Sequence, residues 1–372
     1  MDEAQVIEAA RRAGQEVLGP RAQDTDQRSG PDPANFRALA EAGIPGMAIP
    51  REYGGLDLAG SAQRTITQIL ASYCGVTAFT HAQHHGPARM VASGPNSSLK
   101  ARVLPDLAAG RSFGGVSFAH LRRPGPPVLR AVPCDEGYLL NGIAPWVTGW
   151  GLIDQLVFGA TLPDGRFVYV WSPATDGTFG ELFEGQTAVP RGSLEASAPL
   201  KLCAMNASAT VELTCRDWFI PRSHWLFETD SETMKRNDRA GVLGATVMPI
   251  GCAEASVRLL RETADRRGMA AVARSAASFS GELEAARQQV DHWSERGADA
   301  GFFENAVRVR AWCIELAVRA AHAAVTASSG AANLLTHPAQ RLLREAMFYT
   351  IQAQTHDVMD ATLQRLEAPQ PG

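Results

Sequence analysis

The stretch of the chain that decides the fold is residues 39–58, which read LAEAGIPGMAIPREYGGLDL. It continues an apolar-periodic segment, residues 36–42, which predicts a helix. Residues 44–46 (IPG) end that helix, because proline and glycine interrupt helical hydrogen bonding. Residues 53–55 (YGG) predict a turn shortly afterwards. The stretch therefore predicts a helix, its break and a tight turn in close succession.

The segments on both sides of this stretch have helical periodicity. Apolar residues recur at helical spacing in residues 5–17 and 62–71. Residues 98–109 have the pattern of a helix that stops at Gly110. We therefore predict that residues 1–112 form an N-terminal helical domain.

The pattern changes between residues 113 and 228. Short runs of β-branched and aromatic residues alternate there with turn signals, such as Asn141-Gly142 and residues 163–165 (PDG). This alternation predicts a central antiparallel β-barrel domain over residues 113–228.

Long helical patterns return in the last third of the chain and predict an up-and-down four-helix bundle over residues 229–372. The four apolar-periodic segments are residues 250–266, 280–295, 303–328 and 338–366. The chain has no internal repeat and no low-complexity linker, so we expect the three domains to pack together. The fold class is thus predicted to be α+β and multidomain.

Composition excludes several classes of function. The chain has 372 residues, of which 45% are hydrophobic, and this is enough for a large core. Its formal net charge is -4, so it lacks the basic surface that phosphate backbones require, and we expect no nucleic-acid partner. It also has no run of about 20 apolar residues, so we expect no membrane-spanning helix.

The first residues and the cysteines bear on location. The chain begins MDEA, without the basic and apolar regions of a secretory signal. Its six cysteines are scattered and form no C-x-x-C motif. We therefore expect reduced thiols in a cytoplasmic protein, with neither a disulfide framework nor a structural metal site.

Five strings, taken in order, resemble signature segments of the acyl-CoA dehydrogenase superfamily of flavoproteins. They are residues 39–58, 104–110 (LPDLAAG), 137–149 (GYLLNGIAPWVTG), 217–221 (DWFIP) and 344–346 (REA). The resemblance covers nearly the whole chain. It implies the acyl-CoA dehydrogenase-like fold and a flavin cofactor, FAD or alternatively FMN. It also implies a small-molecule or acyl-thioester substrate.

The resemblance also implies the residues around the flavin ring. A flat, edge-polar isoalloxazine needs an aromatic or apolar face and nearby hydrogen-bonding groups. By analogy with the family, Trp146 would lie against the ring and Thr148 near its N5 atom. Because these residues are two apart on a predicted strand, we expect them to share one face. Ser117 stands where the family has a threonine, and Arg122 or Arg123 could meet a phosphate.

The part of the site that would hold the ADP half of FAD is less similar to the family. Arg267 takes the place of an arginine that in the family reaches the FAD of a neighbouring subunit, which implies a homodimer or homotetramer. Of the family's three-glycine loop only Gly330 remains, within residues 329–333 (SGAAN). This departure is the reason that FMN stays an alternative.

The catalytic base is the clearest departure from the family. Ala353, nine residues after Arg344, occupies the position of the usual glutamate. The family's alternative position falls near Gly244, which has no carboxylate either. An alanine cannot accept a proton, so the sequence assigns no base.

The segment THAQHH, residues 80–85, lies in the helix that lines the acyl pocket in the family. We predict that His81 lines the substrate pocket, where a histidine suits a polar substrate better than a fatty chain. No carboxylate accompanies these histidines, so we expect no metal.

Three functions remain open on the sequence. The first is a flavin-dependent oxidoreductase that oxidises an acyl group bound to CoA or a carrier, with a non-standard base. The second is a two-component monooxygenase that takes reduced flavin from a flavin reductase and needs no base. The third is a non-catalytic subunit that pairs with an active homologous subunit.

Overall fold

A computed structural model describes residues 1–178, 192–297 and 299–367 of the chain. Its N-terminal part is helical, as predicted. The helices are α1 (Glu3–Ala13), α2 (Gly19–Asp26), α3 (Pro33–Glu41), α4 (Gly60–Tyr73), α5 (Gly75–Ser93) and α6 (Ser97–Ala108), with a π-helical turn at Gly14–Leu18.

Local chemistry explains where α3 begins and how the chain leaves it. The Asp32 carboxylate accepts a hydrogen bond from the Ala34 amide, and Pro33 occupies the first helical turn. Two short 3₁₀ helices, Ile44–Ala48 and Arg51–Tyr53, form the predicted break. The turn requires glycine, because a Cβ on Gly55 would lie 2.0 Å from the Ile49 carbonyl oxygen.

Over residues 113–178 and 192–229, the central part is one nine-stranded sheet. Its strands are β1 (Gly114–Ser117), β2 (Leu129–Cys134), β3 (Gly137–Val147), β4 (Gln155–Thr161), β5 (Phe167–Pro173), β6 (Gly177–Thr178), β7 (Ser193–Ala196), β8 (Val211–Pro221) and β9 (Trp225–Thr229). Their order is β6-β7-β8-β3-β2-β4-β5-β9, and β1 pairs with β4.

The order of helices, strands and helices is as predicted, but the prediction that the strands form an antiparallel β-barrel is wrong. Strand β1 runs parallel to β4, and β2 meets β4 in a parallel pairing at Arg130 and Thr161. Within the described strands, β6 and β9 end the sheet on opposite sides and do not pair, so the sheet is mixed and open. Alternation and turn signals predict strands, but the partner of each strand depends on distant contacts. Residues 179–191 of the predicted barrel lie outside the described residues.

The C-terminal part is helical again. Its helices are α7 (Ser231–Ala240), α8 (Val247–Arg267), α9 (Ala270–Ser294), α10 (Phe302–Ser328), α11 (Pro338–Ile351) and α12 (His356–Glu367). The first three predicted bundle helices are confirmed as α8, α9 and α10. The fourth prediction, one helix over residues 338–366, is wrong, because residues 352–355 are not helical and separate α11 from α12.

The N-terminal helices pack closely on the C-terminal ones. A Cβ on Gly251 of α8 would lie 2.6 Å from the Gln68 carbonyl oxygen of α4. The Arg344 guanidinium of α11 binds the buried Asp26 carboxylate of α2, with Nη2 2.5 Å from Oδ2. The two ends of the chain therefore share one packed unit.

One described stretch, Val242–Arg267, is long and apolar enough to cross a membrane by length and composition. However, 78% of its apolar window is buried inside the protein, as is typical of a core helix. The feature is therefore weak evidence for a membrane span.

Candidate functional site

Trp146 lies in a β-bulge. The pairing of β3 with β8 shifts register between Ala144 and Val147. Trp146 has a φ of 62°, in the left-handed region that a bulky side chain seldom adopts, and its side chain is 48% exposed. The bulge thus turns an indole outward at an energetic cost, which is common where a ligand is bound.

Thr148 follows the end of β3 and differs from Trp146 in burial. It is buried, and its Oγ1 lies 3.1 Å from the Thr210 Oγ1, which in turn lies 2.8 Å from the Ser208 Oγ. The expectation that Trp146 and Thr148 share one face is not met in their exposure, because β3 ends at Val147 and strand alternation does not extend to Thr148. The structure therefore places an exposed indole beside the end of a buried hydroxyl chain.

Ser117 ends β1 and is buried. Its Oγ has no hydrogen-bond partner in the described part of the chain. A buried hydroxyl without a partner is costly, so this atom is available to a ligand. Arg122, by contrast, is engaged: its Nε and Nη2 each donate to the Asp238 carboxylate at 2.7 Å. The expectation that Arg122 serves a phosphate therefore has no support here.

Three histidines are buried together on α5, against β1. The ring centroids of His81 and His85 are 4.7 Å apart, and those of His84 and His85 are 5.5 Å apart. Burial lowers the pKa of His81 to about 3 and that of His84 to about 4. Burial also holds the pKa of His85 well below its ordinary value. All three imidazoles are therefore neutral at pH 7.

The three histidines differ in their partners. The Gly114 amide donates to the Nδ1 of His84 at 3.2 Å, so its Nε2 carries the proton and donates to the Pro45 carbonyl. The Nε2 of His81 and both ring nitrogens of His85 have no partner among the described residues. His84 is thus structural. The prediction that His81 lines a substrate pocket stays a prediction, since the ring is buried beside His85.

Ala353 lies in the break between α11 and α12, with a φ of 48°. Beneath it lies Arg310 of α10, which is 3% exposed. The Nη2 of Arg310 donates to the carbonyls of Gln352 and Ala353 at 2.8 Å each, and its Nη1 donates to the Val242 carbonyl at 3.4 Å. These bonds give the carbonyls at the break a donor in place of helical amides, and they therefore stabilise the separation of the predicted helix into two.

No carboxylate stands at either position that the family uses for its base. Within residues 1–178, 192–297 and 299–367, none forms an ion pair with Arg310, whose pKa burial lowers to about 10. Gly244 lies in the 3₁₀ turn Val242–Thr246, where an added Cβ would meet no described heavy atom within 4 Å. A methyl group and a buried cation therefore lie where the family resemblance would place the carboxylate base.

The two residues assigned to the ADP half of the cofactor lie near each other. Arg267, at the end of α8, donates from its Nη1 to the Ala327 carbonyl at 3.1 Å. Gly330 follows in the 3₁₀ turn Ser329–Asn333, and a Cβ there would meet no described heavy atom within 4 Å. The arrangement leaves open space beside a cation.

Sequence reasoning missed Arg310 and the hydroxyls of Ser208 and Thr210. A signal for Arg310 was present, because arginine is rare within an otherwise apolar helix face and is usually paired when buried. The two hydroxyls gave no local signal, since only the fold brings them to Thr148.

Comparison with known proteins identifies similar chains. A profile described as "Acyl-CoA dehydrogenase, N-terminal domain" matches residues 1–111. The probable acyl-CoA dehydrogenase YngJ of Bacillus subtilis is 21% identical over 98% of this chain and 97% of its own length. The mitochondrial very long-chain specific acyl-CoA dehydrogenase of Macaca fascicularis is 26% identical over 61% of this chain. The match covers only 34% of that relative, so this chain spans about a third of its length.

A solved structure shares the fold. Butyryl-CoA dehydrogenase from Megasphaera elsdenii superimposes with a TM-score of 0.80 and 20% sequence identity. The superposition covers 98% of this chain and 100% of that one.

Proposed function

Because the chain belongs to the acyl-CoA dehydrogenase superfamily, we propose that it is a flavin-dependent oxidoreductase. Its substrate in this proposal is an acyl group carried by coenzyme A or a carrier protein, or a related small organic molecule. The observation that carries the proposal is the half-exposed, strained indole of Trp146 next to the buried hydroxyl of Thr148.

The residues present fit the ring half of a flavin. Trp146 offers an aromatic face, while Thr148 and the Ser117 hydroxyl, which has no partner within the described segments, offer hydrogen bonds to polar ring edges. Arg267 and the open backbone at Gly330 would hold phosphate or the ADP half, which favours FAD with FMN as the alternative. A bound flavin would accept the hydride that leaves the β-carbon of the acyl group.

Within this proposal the protein orients the acyl group, and some group must take its α-proton. Ala353 cannot do so, and neither can Gly244. We infer a non-standard base, which is not a carboxylate at either of these positions.

The first test is flavin content. We expect the purified protein to release FAD or FMN on denaturation, close to one per chain. The Trp146→Ala variant should bind flavin at least about tenfold more weakly, because a stacked aromatic face contributes roughly 1 kcal/mol beyond its buried area. Fluorescence titration of the apoprotein measures the dissociation constant.

The matched control is Trp146→Phe, which keeps an aromatic face and should retain most of the affinity. Equal affinity in all three proteins, or none in the wild type, would overturn the proposal. Anaerobic bleaching of the bound flavin by short acyl-CoA thioesters then tests the reaction itself.

A second function is favoured by one observation, the methyl group of Ala353 above the buried Arg310. A two-component monooxygenase needs no α-proton base, so this arrangement would suit it. That function predicts protein that is colourless as purified and hydroxylates a substrate only with a flavin reductase and oxygen. A third function, a non-catalytic subunit, predicts flavin-dependent activity only with a homologous partner.

We also propose that the protein forms a homodimer or homotetramer and that it is cytoplasmic. Large apolar side chains on the C-terminal part are more than 60% exposed at Leu335, Ile351 and Leu366, which supports a homodimer or homotetramer. All six cysteines are free, which supports a reducing, cytoplasmic location.

A further inference from the structure

The buried hydroxyls of Ser208, Thr210 and Thr148 form a continuous chain. The Oγ of Ser208 lies 2.8 Å from the Oγ1 of Thr210, which lies 3.1 Å from the Oγ1 of Thr148. The three side chains are 0%, 3% and 5% exposed. Solvent therefore does not compete for these bonds, and the order of the hydroxyl protons is set inside the protein.

Backbone hydrogen bonds hold the segment that carries Ser208 and Thr210 against the segment that follows Trp146. The Gly149 amide donates to the Ser208 carbonyl at 2.8 Å, and the Trp150 amide donates to the Ala209 carbonyl at 3.3 Å. Ala209, which separates Ser208 from Thr210 along the backbone, has a φ of 45°, which is strained for an alanine. Strain of this kind persists only when the surroundings fix it, so the spacing of the hydroxyls is imposed.

The number of protons on the three hydroxyls fixes the direction of the hydrogen bonds between them. Each hydroxyl has one proton to donate and lone pairs to accept. If Thr148 donates its proton to an acceptor other than these hydroxyls, then Thr210 must be the donor in the bond between Thr210 and Thr148. Thr210 has then used its only proton, so Ser208 must donate to Thr210. A single polarised order, from Ser208 through Thr210 to Thr148, follows.

We propose that Thr210 and Ser208 are positioning residues that set the donor direction of Thr148 toward the edge of the bound flavin ring. This inference rests on the proposed flavin site. Thr148 is the residue that would touch the cofactor, and the other two act only through it. Without Thr210, the Thr148 hydroxyl could rotate and its proton would no longer be fixed.

The experiment uses the full-length protein loaded with FAD. We compare the visible absorption maxima and the flavin midpoint potential of the wild type with those of Thr210→Val and Thr148→Val. Both variants should shift the spectrum in the same direction and lower the potential, because a donor aimed at the ring stabilises the added electron density. FAD affinity should change less than about threefold in Thr210→Val, since ring stacking is untouched.

The double variant Thr148→Val/Thr210→Val separates this role from a merely structural one. If Thr210 acts through Thr148, the double variant has the spectrum and potential of Thr148→Val alone. Thr210→Ser restores the hydroxyl and should restore both readouts. If Thr210→Val does not fold, Ser208→Ala takes its place with the same expected direction and a smaller shift.

Two failures can be told apart. Wild-type protein that binds no flavin overturns the proposed function. Wild-type protein that binds flavin, with Thr210→Val matching it in spectrum and potential, overturns the positioning role and leaves the flavin site intact. Additive shifts in the double variant also overturn it.

Discussion

The sheet side and the bundle side of the candidate site each hold a residue in left-handed backbone. Trp146 has a φ of 62° in the β3 bulge, and Ala353 has a φ of 48° between α11 and α12. On the sheet side, the indole is exposed, and the buried Ser117 hydroxyl at the end of β1 has no hydrogen-bond partner among the described residues. On the bundle side, Arg310 already donates hydrogen bonds to the carbonyls of Gln352 and Ala353. A positive φ alone therefore shows only that the surrounding structure holds the backbone in place. Polar atoms without hydrogen-bond partners are the feature that indicates a ligand site.

The largest expected effect is on the sheet side, where the buried histidines of α5 are neutral. Their pKa values are lowered by burial, to about 3 for His81 and about 4 for His84, so the unfolded chain binds protons first as the pH falls below 6.5. Their contribution to stability is thus present above pH 6.5 and is lost progressively toward pH 4. At pH 5 each such histidine should cost roughly 2 kcal/mol of unfolding free energy, so the three together should cost roughly 6 kcal/mol.

Urea unfolding at pH 7 and pH 5 measures this loss. The variant His81→Leu should lose less stability than the wild type between the two pH values, by about 2 kcal/mol. His322→Leu, which changes a histidine outside this cluster, serves as control. If His81→Leu and the wild type lose the same amount, the His81 ring is not held neutral.

The next effect concerns the bundle side. Arg310→Met should lower the unfolding free energy by about 2–4 kcal/mol, because the carbonyls of Val242, Gln352 and Ala353 lose the donor that this buried side chain supplies. Arg308→Met, on the exposed face of the same helix, should change it by less than about 0.5 kcal/mol. Urea unfolding at pH 7 compares the two. Equal stabilities would mean that burying the Arg310 charge costs as much as its bonds contribute.

The smallest effect is at Ala353 itself. Ala353→Gly should raise the unfolding free energy by about 0.5–1 kcal/mol, because glycine adopts a positive φ without steric cost. Ala273→Gly, on an exposed helical position, should have the opposite sign by about 1 kcal/mol. A loss of stability in both variants would show that no strain is stored at position 353.

The sequence predicted features that local chemistry controls. Proline and glycine in residues 44–46 and 53–55 act on their own backbone, and the break and turn are where these residues stand. The helices α8, α9 and α10 also follow directly from apolar periodicity.

The features that sequence reasoning missed depend on distant partners. Residues 352–355 (QAQT) contain neither proline nor glycine, so nothing local announces the break that Arg310 imposes. The bulge at Trp146 likewise depends on the register of β8, and the parallel pairing of β1 with β4 joins segments about 40 residues apart. The assignment of Trp146 and Thr148 to a flavin site stays a prediction, and the difference in their burial depends on the fold rather than on local sequence.

The contact between Asp26 and Arg344 has a consequence for how this chain can be divided. It joins residues 318 positions apart, and Asp26 is buried where it accepts from the arginine. Residues 1–111, which match a family profile as a unit, thus carry a carboxylate whose cation lies near the opposite terminus. If one end is exchanged for a relative's segment that lacks its member of this pair, the other member loses its partner. A chimaera should therefore keep Asp26 and Arg344 together.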